Sequence, residues 1–181
     1  MLTDFQQRKL MKLFSLYDAN CDGLIVKQDF ENVAKHLAEI ANWSARSPKG
    51  LTLFNQFDRE WQALEKASDT DHDRKISLDE WFVYYDGVLG NEQQYQERVR
   101  SLTALVFDVF DQDGNQKMSQ DEWANLLRVY HVSPIYVPAI FAQLDSDQDG
   151  FLSREDVTQA MDDFFYSQDP QSPGNGMFGP Y

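Results

Sequence analysis

The sequence predicts an all-α protein: helix–loop–helix units joined in two pairs and packed into one compact body. Three observations carry that prediction. An acidic loop recurs, opening at Asp18, Asp69, Asp111 and Asp145. Apolar residues at helical spacing flank every copy. At its eighth position each loop carries an apolar residue (Ile25, Ile76, Met118 or Leu152), which suits a short β pairing between neighbouring loops. The first loop is expected to pair with the second and the third with the fourth. That gives an N-terminal pair over residues 1–90, a C-terminal pair over 91–166, and an irregular Pro/Gly-rich tail over 167–181.

The flanking helices can be justified in chain order. Leu10, Leu13, Phe14 and Tyr17 mark the first apolar stripe, and Phe30, Val33, Ala34, Leu37, Ala38 and Ala41 the second. Ser47-Pro48-Lys49-Gly50 is expected as a turn separating two helices, because proline lacks a backbone donor and glycine is conformationally loose. Phe54, Phe57, Trp61 and Leu64 then lead into the second loop, and Trp81, Tyr84, Tyr85 and Val88 leave it. Leu102, Val106, Val109 and Phe110 precede the third loop; Trp123, Leu126, Leu127 and Tyr130 follow it. Ser133-Pro134 reads as an N-cap and first-turn proline for the helix of Val137, Ile140, Phe141 and Leu144. Val157, Met161, Phe164 and Phe165 form the last stripe. All of these stripes are read as core. In the tail, Met177, Phe178 and Tyr181 are candidates to dock on the body, with a disordered end as the alternative.

The loops carry the chemistry. Calcium takes six to eight oxygens, and a twelve-residue loop supplies them from side chains at positions 1, 3, 5, 9 and 12 and a carbonyl at position 7. The first loop offers Asp18, Asn20, Asp22 and Asp29 with the carbonyl of Leu24. The second offers Asp69, Asp71, Asp73, Ser77 and Glu80 with that of Lys75. Asp111, Asp113, Asn115, Ser119 and Glu122 with the Lys117 carbonyl make the third set. Asp145, Asp147, Asp149, Ser153 and Asp156 with the Phe151 carbonyl make the fourth. These are the loops of EF-hands, so up to four Ca2+ ions are expected.

The loops are not equivalent. Position 6 needs a positive φ, which Gly23 and Gly150 adopt freely and Arg74 and Gln116 do not. Glu80 and Glu122 reach far enough to bind through both oxygens, whereas the shorter Asp29 and Asp156 favour one oxygen and a six-coordinate site. Such a site is closer to magnesium's octahedral demand, so Mg2+ should compete at the loops starting Asp18 and Asp145. With Val26 at position 9, the first loop ranks weakest.

Bulk properties agree. A net charge of -14 disfavours nucleic acid and anionic membranes and invites cations. One cysteine, Cys21, excludes an internal disulfide framework and points to a reducing, cytoplasmic setting. It sits at loop position 4, where side chains face solvent, and has no histidine nearby. No phosphate-binding glycine loop and no zinc-type Cys/His spacing occurs, so no enzyme is expected.

Over nearly its full length the chain resembles the sarcoplasmic calcium-binding protein and calerythrin-like family of four-EF-hand proteins. The resemblance rests on the Asp-terminated first loop (Asp18 to Asp29), the long connection to Asp69, the stretch Arg74-Lys75-Ile76-Ser77 and the tail from Asp169-Pro170 to Phe178-Gly179-Pro180. His72 at position 4 of the second loop and Asp156 closing the fourth depart from its pattern. The resemblance implies a core buried between the halves and an intracellular Ca2+ and Mg2+ buffer that requires no protein partner. A calcium sensor that changes conformation to engage a partner is the alternative; the chain has only five methionines, where sensors offer methionine-rich surfaces. A ligand carrier or light emitter of the same fold would need a histidine beside tryptophan and tyrosine in an internal cavity, from His36 or His131.

Overall fold

The computed structural model of the chain describes residues 1–180. Thr3 caps α1 (Asp4–Tyr17), its hydroxyl accepting from Gln6 N while the Gln6 side chain accepts from Thr3 N. Helix α2 (Lys27–Ile40) leaves the first loop and α3 (Pro48–Ser68) enters the second. After α4 (Leu78–Leu89) the chain turns at Gly90 into a continuous helical rod. The rod comprises α5 (Glu92–Tyr95), a π turn (Gln96–Arg100) and α6 (Ser101–Phe110), which enters the third loop. Helix α7 (Gln120–Val129), α8 (Val137–Leu144) and α9 (Arg154–Tyr166) complete the second pair.

The loop pairing follows the expected register. Strand β1 (Leu24–Ile25) runs antiparallel to β2 (Ile76–Ser77) with Ile25 opposite Ile76. Strand β3 (Lys117–Met118) does the same with β4 (Leu152–Ser153), Met118 opposite Leu152. All four of these position-8 side chains are fully buried, so each ladder is both a backbone link and a piece of core.

Two helix starts differ from expectation. Ser47–Gly50 is not the turn: α3 begins at Pro48, with the Ser47 hydroxyl accepting from Gly50 N at 3.1 Å, and the turn lies before it, at residues 41–47. A first-turn proline has no donor to waste. Gly50 serves close packing instead of looseness, since a Cβ there would sit 2.1 Å from the Ser44 carbonyl oxygen. After Ser133 the chain first makes a 3-10 turn (Pro134–Tyr136), and Ser133 makes no side-chain cap. Pro138 stands in the first turn of α8, which delays that helix to Val137.

The halves meet across an aromatic seam. Tyr17 of α1 stands 6.3 Å, centroid to centroid, from Tyr130, and Tyr85 of α4 stacks on Phe165 of α9 at 5.5 Å. Trp81 is buried against Phe14 and donates its indole N–H to the Leu10 carbonyl at 3.0 Å. A cavity of about 80 Å³ lies in the seam, lined among others by Tyr17, Tyr85, Trp123, Tyr130 and Phe178. His36, His72 and His131 are all exposed and do not line it.

The tail docks on this seam rather than fraying. Met177 and Phe178 are buried, Phe178 lying edge-on to Tyr130 and Phe164; Tyr181 lies outside the described residues. A 3-10 turn (Pro173–Gly176) presses against α9 so tightly that a Cβ on Gly174 would lie 2.2 Å from the Ala160 carbonyl oxygen. Lys9 of α1 supplies the polar anchor. Its buried ammonium donates to the carbonyls of Asp163 (3.1 Å) and Ser167 (2.9 Å) and to Asn175 Oδ1 (3.0 Å). It thus satisfies the Ser167 carbonyl just past the end of α9 and adds a second donor to that of Asp163, which already accepts from Ser167 N. Burial pulls this amine down to about 8, against the opposing pull of Asp163.

Replacing Lys9 with Met strands two acceptors, the Ser167 carbonyl and Asn175 Oδ1, each costing about 1–3 kcal/mol when left buried and unpaired. Lys9→Met is expected to lower unfolding stability on that scale. Cleavage within residues 167–180 under limited proteolysis should accelerate about tenfold or more, while the loop ladders stay intact.

Candidate metal centres

Each loop begins where a helix stops. The amide of the first loop residue still closes the entering helix: Asp18 N donates to Phe14 O, Asp69 N to Glu65 O, Asp111 N to Phe107 O and Asp145 N to Phe141 O, at 2.9–3.0 Å. The chain then curls so that its own amides hold the side-chain oxygens inward. Position 6 donates to position 1: Gly23 to Asp18, Arg74 to Asp69, Gln116 to Asp111 and Gly150 to Asp145, all through Oδ2. Position 7 donates to position 5 in every loop, from Leu24, Lys75, Lys117 and Phe151 to Asp22, Asp73, Asn115 and Asp149. Asn20, Asp71, Asp113 and Asp147 at position 3 accept from position 5 in the same way.

That curl needs left-handed backbone twice per loop. Position 6 has φ +81° at Gly23, 62° at Arg74, 64° at Gln116 and 86° at Gly150. Position 4 is left-handed too, at Cys21, His72, Gly114 and Gln148, a demand the sequence reading overlooked. The second loop meets both with bulky residues, His72 and Arg74, and each non-glycine in this region costs about 1–2 kcal/mol. Cys21 is exposed, as expected for position 4.

Position 12 closes the ring. Glu80 spans the mouth of its loop: Oε1 accepts from Thr70 N and Oγ1, Oε2 from Ser77 N and Oγ. Burial pushes this carboxyl up, but those donors outweigh it and hold Glu80 down at about 2. Glu122 is bound alike by Gln112 N and by Ser119 N and Oγ. Asp156 accepts from Ser146 Oγ and from Ser153 N and Oγ, and is likewise lowered despite burial. Asp29 accepts from Val26 N at 2.8 Å. Its carboxyl is raised, by burial first and then by the charges of Asp18 and Asp22, against the bond from Val26.

The donor sets fit a hard divalent cation. Oxygens of Asp69, Asp71 and Asp73 lie within 4.8 Å of one another, as do those of Asp145, Asp147 and Asp149; Asn20 and Asn115 dilute the negative charge of the other two loops. In the second and third loops the position-1 carboxylate keeps a buried oxygen, Asp69 Oδ1 and Asp111 Oδ1, without any hydrogen-bond partner. In the first and fourth loops that oxygen accepts from the amide of Asp22 or Asp149. A buried, unpartnered anionic oxygen is costly unless a cation meets it.

The architecture and the acidic loops together match known proteins. An EF-hand family model covers residues 139–161, around the fourth loop. Calerythrin of Saccharopolyspora erythraea is 26% identical over 170 residues, spanning 93% of this chain and 96% of its own. Among solved structures, a sarcoplasmic calcium-binding protein from amphioxus superposes with a TM-score of 0.78 over 100% of both chains at 19% identity. A Streptomyces coelicolor calcium-binding protein does so with a TM-score of 0.74, over 91% of this chain and 99% of its own, at 24% identity. In sequence and in fold the chain is similar to calerythrin and the sarcoplasmic calcium-binding proteins, and its fourth loop matches the EF-hand. The amphioxus and Streptomyces coelicolor proteins are named as calcium-binding proteins. Among the described residues no helix of this EF-hand protein is long and apolar enough to cross a membrane.

One side chain in the EF-hand loops escaped sequence reasoning. Lys117, at position 7 of the third loop, reaches across the ladder to ion-pair with Asp149 of the fourth and lies over the Phe151 ring. This pairing lowers the Asp149 carboxyl and raises the lysine. The signal was present only as a lysine on a strand facing a partner loop, and it needs the strand register to be read.

An ammonium on Asp149 would compete with a cation bound at that carboxylate. Lys117→Gln should therefore raise the calcium affinity of the fourth loop by about two- to fivefold at low salt, in keeping with an exposed ion pair. The gain should vanish in about 1 M salt, as read by calcium titration at both ionic strengths.

Proposed function

We propose that this protein is an intracellular calcium buffer whose four loops hold Ca2+ through the residues named above, with Mg2+ competing at the loops starting Asp18 and Asp145. The observation that carries this reading is the aromatic seam. Tyr17 against Tyr130 and Tyr85 against Phe165, which an opening sensor would have to part, join the halves, and the docked tail lays Phe178 on Tyr130 and Phe164. Opening that seam would uncover several large aromatic side chains, each worth about 1.5–3 kcal/mol of burial. The buried unpartnered oxygens of Asp69 and Asp111, with glutamate at position 12, support reading the two middle loops as the calcium-selective ones. The outer loops satisfy position 1 internally and close with aspartate, which suits a smaller ion that keeps its waters.

A second reading has one observation behind it. The Streptomyces coelicolor protein is described in terms of calcium-mediated regulation, and the tail of this chain is the segment whose release would signal.

Calorimetric titration with calcium, with and without millimolar magnesium, separates the two. A buffer gives tight sites, of which the outer two lose apparent calcium affinity in magnesium. Sites near 10⁻⁷–10⁻⁵ M that ignore magnesium would favour the sensor. Glu80→Gln should weaken the second site by about 10- to 100-fold, the equivalent of losing one charged ligand contact. Glu122→Gln should do the same at the third.

A further inference from the structure

Glu60 is a charged group that the loops do not use. It lies in the middle of α3, 5% exposed, with Gln56 Nε2 donating to its Oε1 at 2.7 Å. Its cationic partner comes from the other side of the junction between the pairs: Arg98 Nη1, in the π turn of the α5–α6 rod, stands 3.7 Å away. Tyr17 of α1 and Tyr84 and Tyr85 of α4 complete the surroundings, and all three phenols are pushed up by burial. Arg59 of α3 is tied to Gln56. Beside the pair lies a cavity of about 30 Å³, lined in part by Glu60, Arg98, Tyr17 and Tyr84, which leaves room for the two side chains to part.

The placement of this contact matters more than its strength. Helix α3 ends on Asp69 and the α5–α6 rod ends on Asp111. The pair therefore joins the helices that enter the second and third loops, the two whose position-1 oxygens are buried without partners. Those loops are not paired through a ladder, since β2 pairs with β1 and β3 with β4. The contact is thus one direct link between the two entering helices, and its Arg98 side sits on a π turn, an irregularity frequent at functional sites.

We propose that Glu60 and Arg98 form a proton-sensitive latch across the two EF-hand pairs, through which the loops starting Asp69 and Asp111 sense each other's occupancy. The coupling rests on the reading that these two loops hold calcium; the latch itself does not. Burial raises the Glu60 carboxyl to about 7 against the pull of Arg98, Gln56 and Arg59. The folded chain thus holds this proton more tightly than the unfolded chain, whose ordinary value is 4.5. Charged Glu60 is a cost above about pH 7, and the cost fades as pH falls toward 4.5. Protonation discharges the carboxylate and releases Arg98.

Carbon-13 carboxyl titration of the calcium-loaded full chain tests the latch. Glu60 should titrate near 7, and Arg98→Gln should move its midpoint upward. A midpoint near the ordinary 4.5, or one that ignores Arg98, overturns the latch, and the wild-type titration alone decides it if the variant fails to fold. Coupling is read by disabling the third loop with Glu122→Gln and measuring calcium at the second. At pH 8 the second loop should lose about fivefold or more in affinity. In a Glu60→Gln chain the same loss should fall below about twofold, and wild type at pH 6 should approach that behaviour. An undiminished loss in Glu60→Gln, or no loss in wild type, overturns the coupling. Absence of calcium binding at either loop would instead refute the functional reading, with the carboxyl titration still reporting on the latch.

Discussion

At the end of each loop a carboxylate occupies the third position of the exiting helix and accepts the amide of the residue that caps it. Glu80, Glu122 and Asp156 do this with Ser77, Ser119 and Ser153, whose hydroxyls return the bond to the helix amides. One side chain thus serves two structures: it starts a helix and supplies the last ligand position of a metal loop. Helix direction, loop closure and the ladder one residue before the cap are fixed together. In the first loop Val26 stands at the cap and offers no hydroxyl, so only the Asp29 half of the arrangement remains. The outermost loop is therefore the least determined.

From this constraint the body follows in steps. Each closed loop orients one entering and one exiting helix, and each ladder joins two such units, with Ile25 against Ile76 and Met118 against Leu152. The pairs present aromatic faces that neither can bury alone, and Tyr17, Trp81, Tyr85, Tyr130 and Phe165 close them on one another. Polar anchors then set the seam. Lys9 ties the first helix to the end of the last and Glu60 meets Arg98, while Arg100 pairs with Asp162 within the second pair at 2.5 Å. Negative charge is concentrated in the loops at the surface, where a cation relieves it, and the interior is left to aromatic packing.

The sequence by itself determined the parts whose rules are local. Oxygen-bearing residues at fixed loop positions, apolar stripes at helical spacing and the apolar eighth residue were enough to place the four loops, their candidate ligands, the ladder partners and most of the core. Position 6 as left-handed backbone was also legible, because glycine appears there in two loops. Only the tertiary structure decided what depends on residues distant in sequence. The Pro/Gly-rich tail became ordered because Lys9 and the seam receive it. The reach of Lys117 to Asp149 and the burial of Glu60 against Arg98 depend on how strands and helices from different units come together. A loop encodes its own oxygens through spacing along the chain, whereas a buried ion pair or a docked tail is set by surfaces that meet only after the chain has folded.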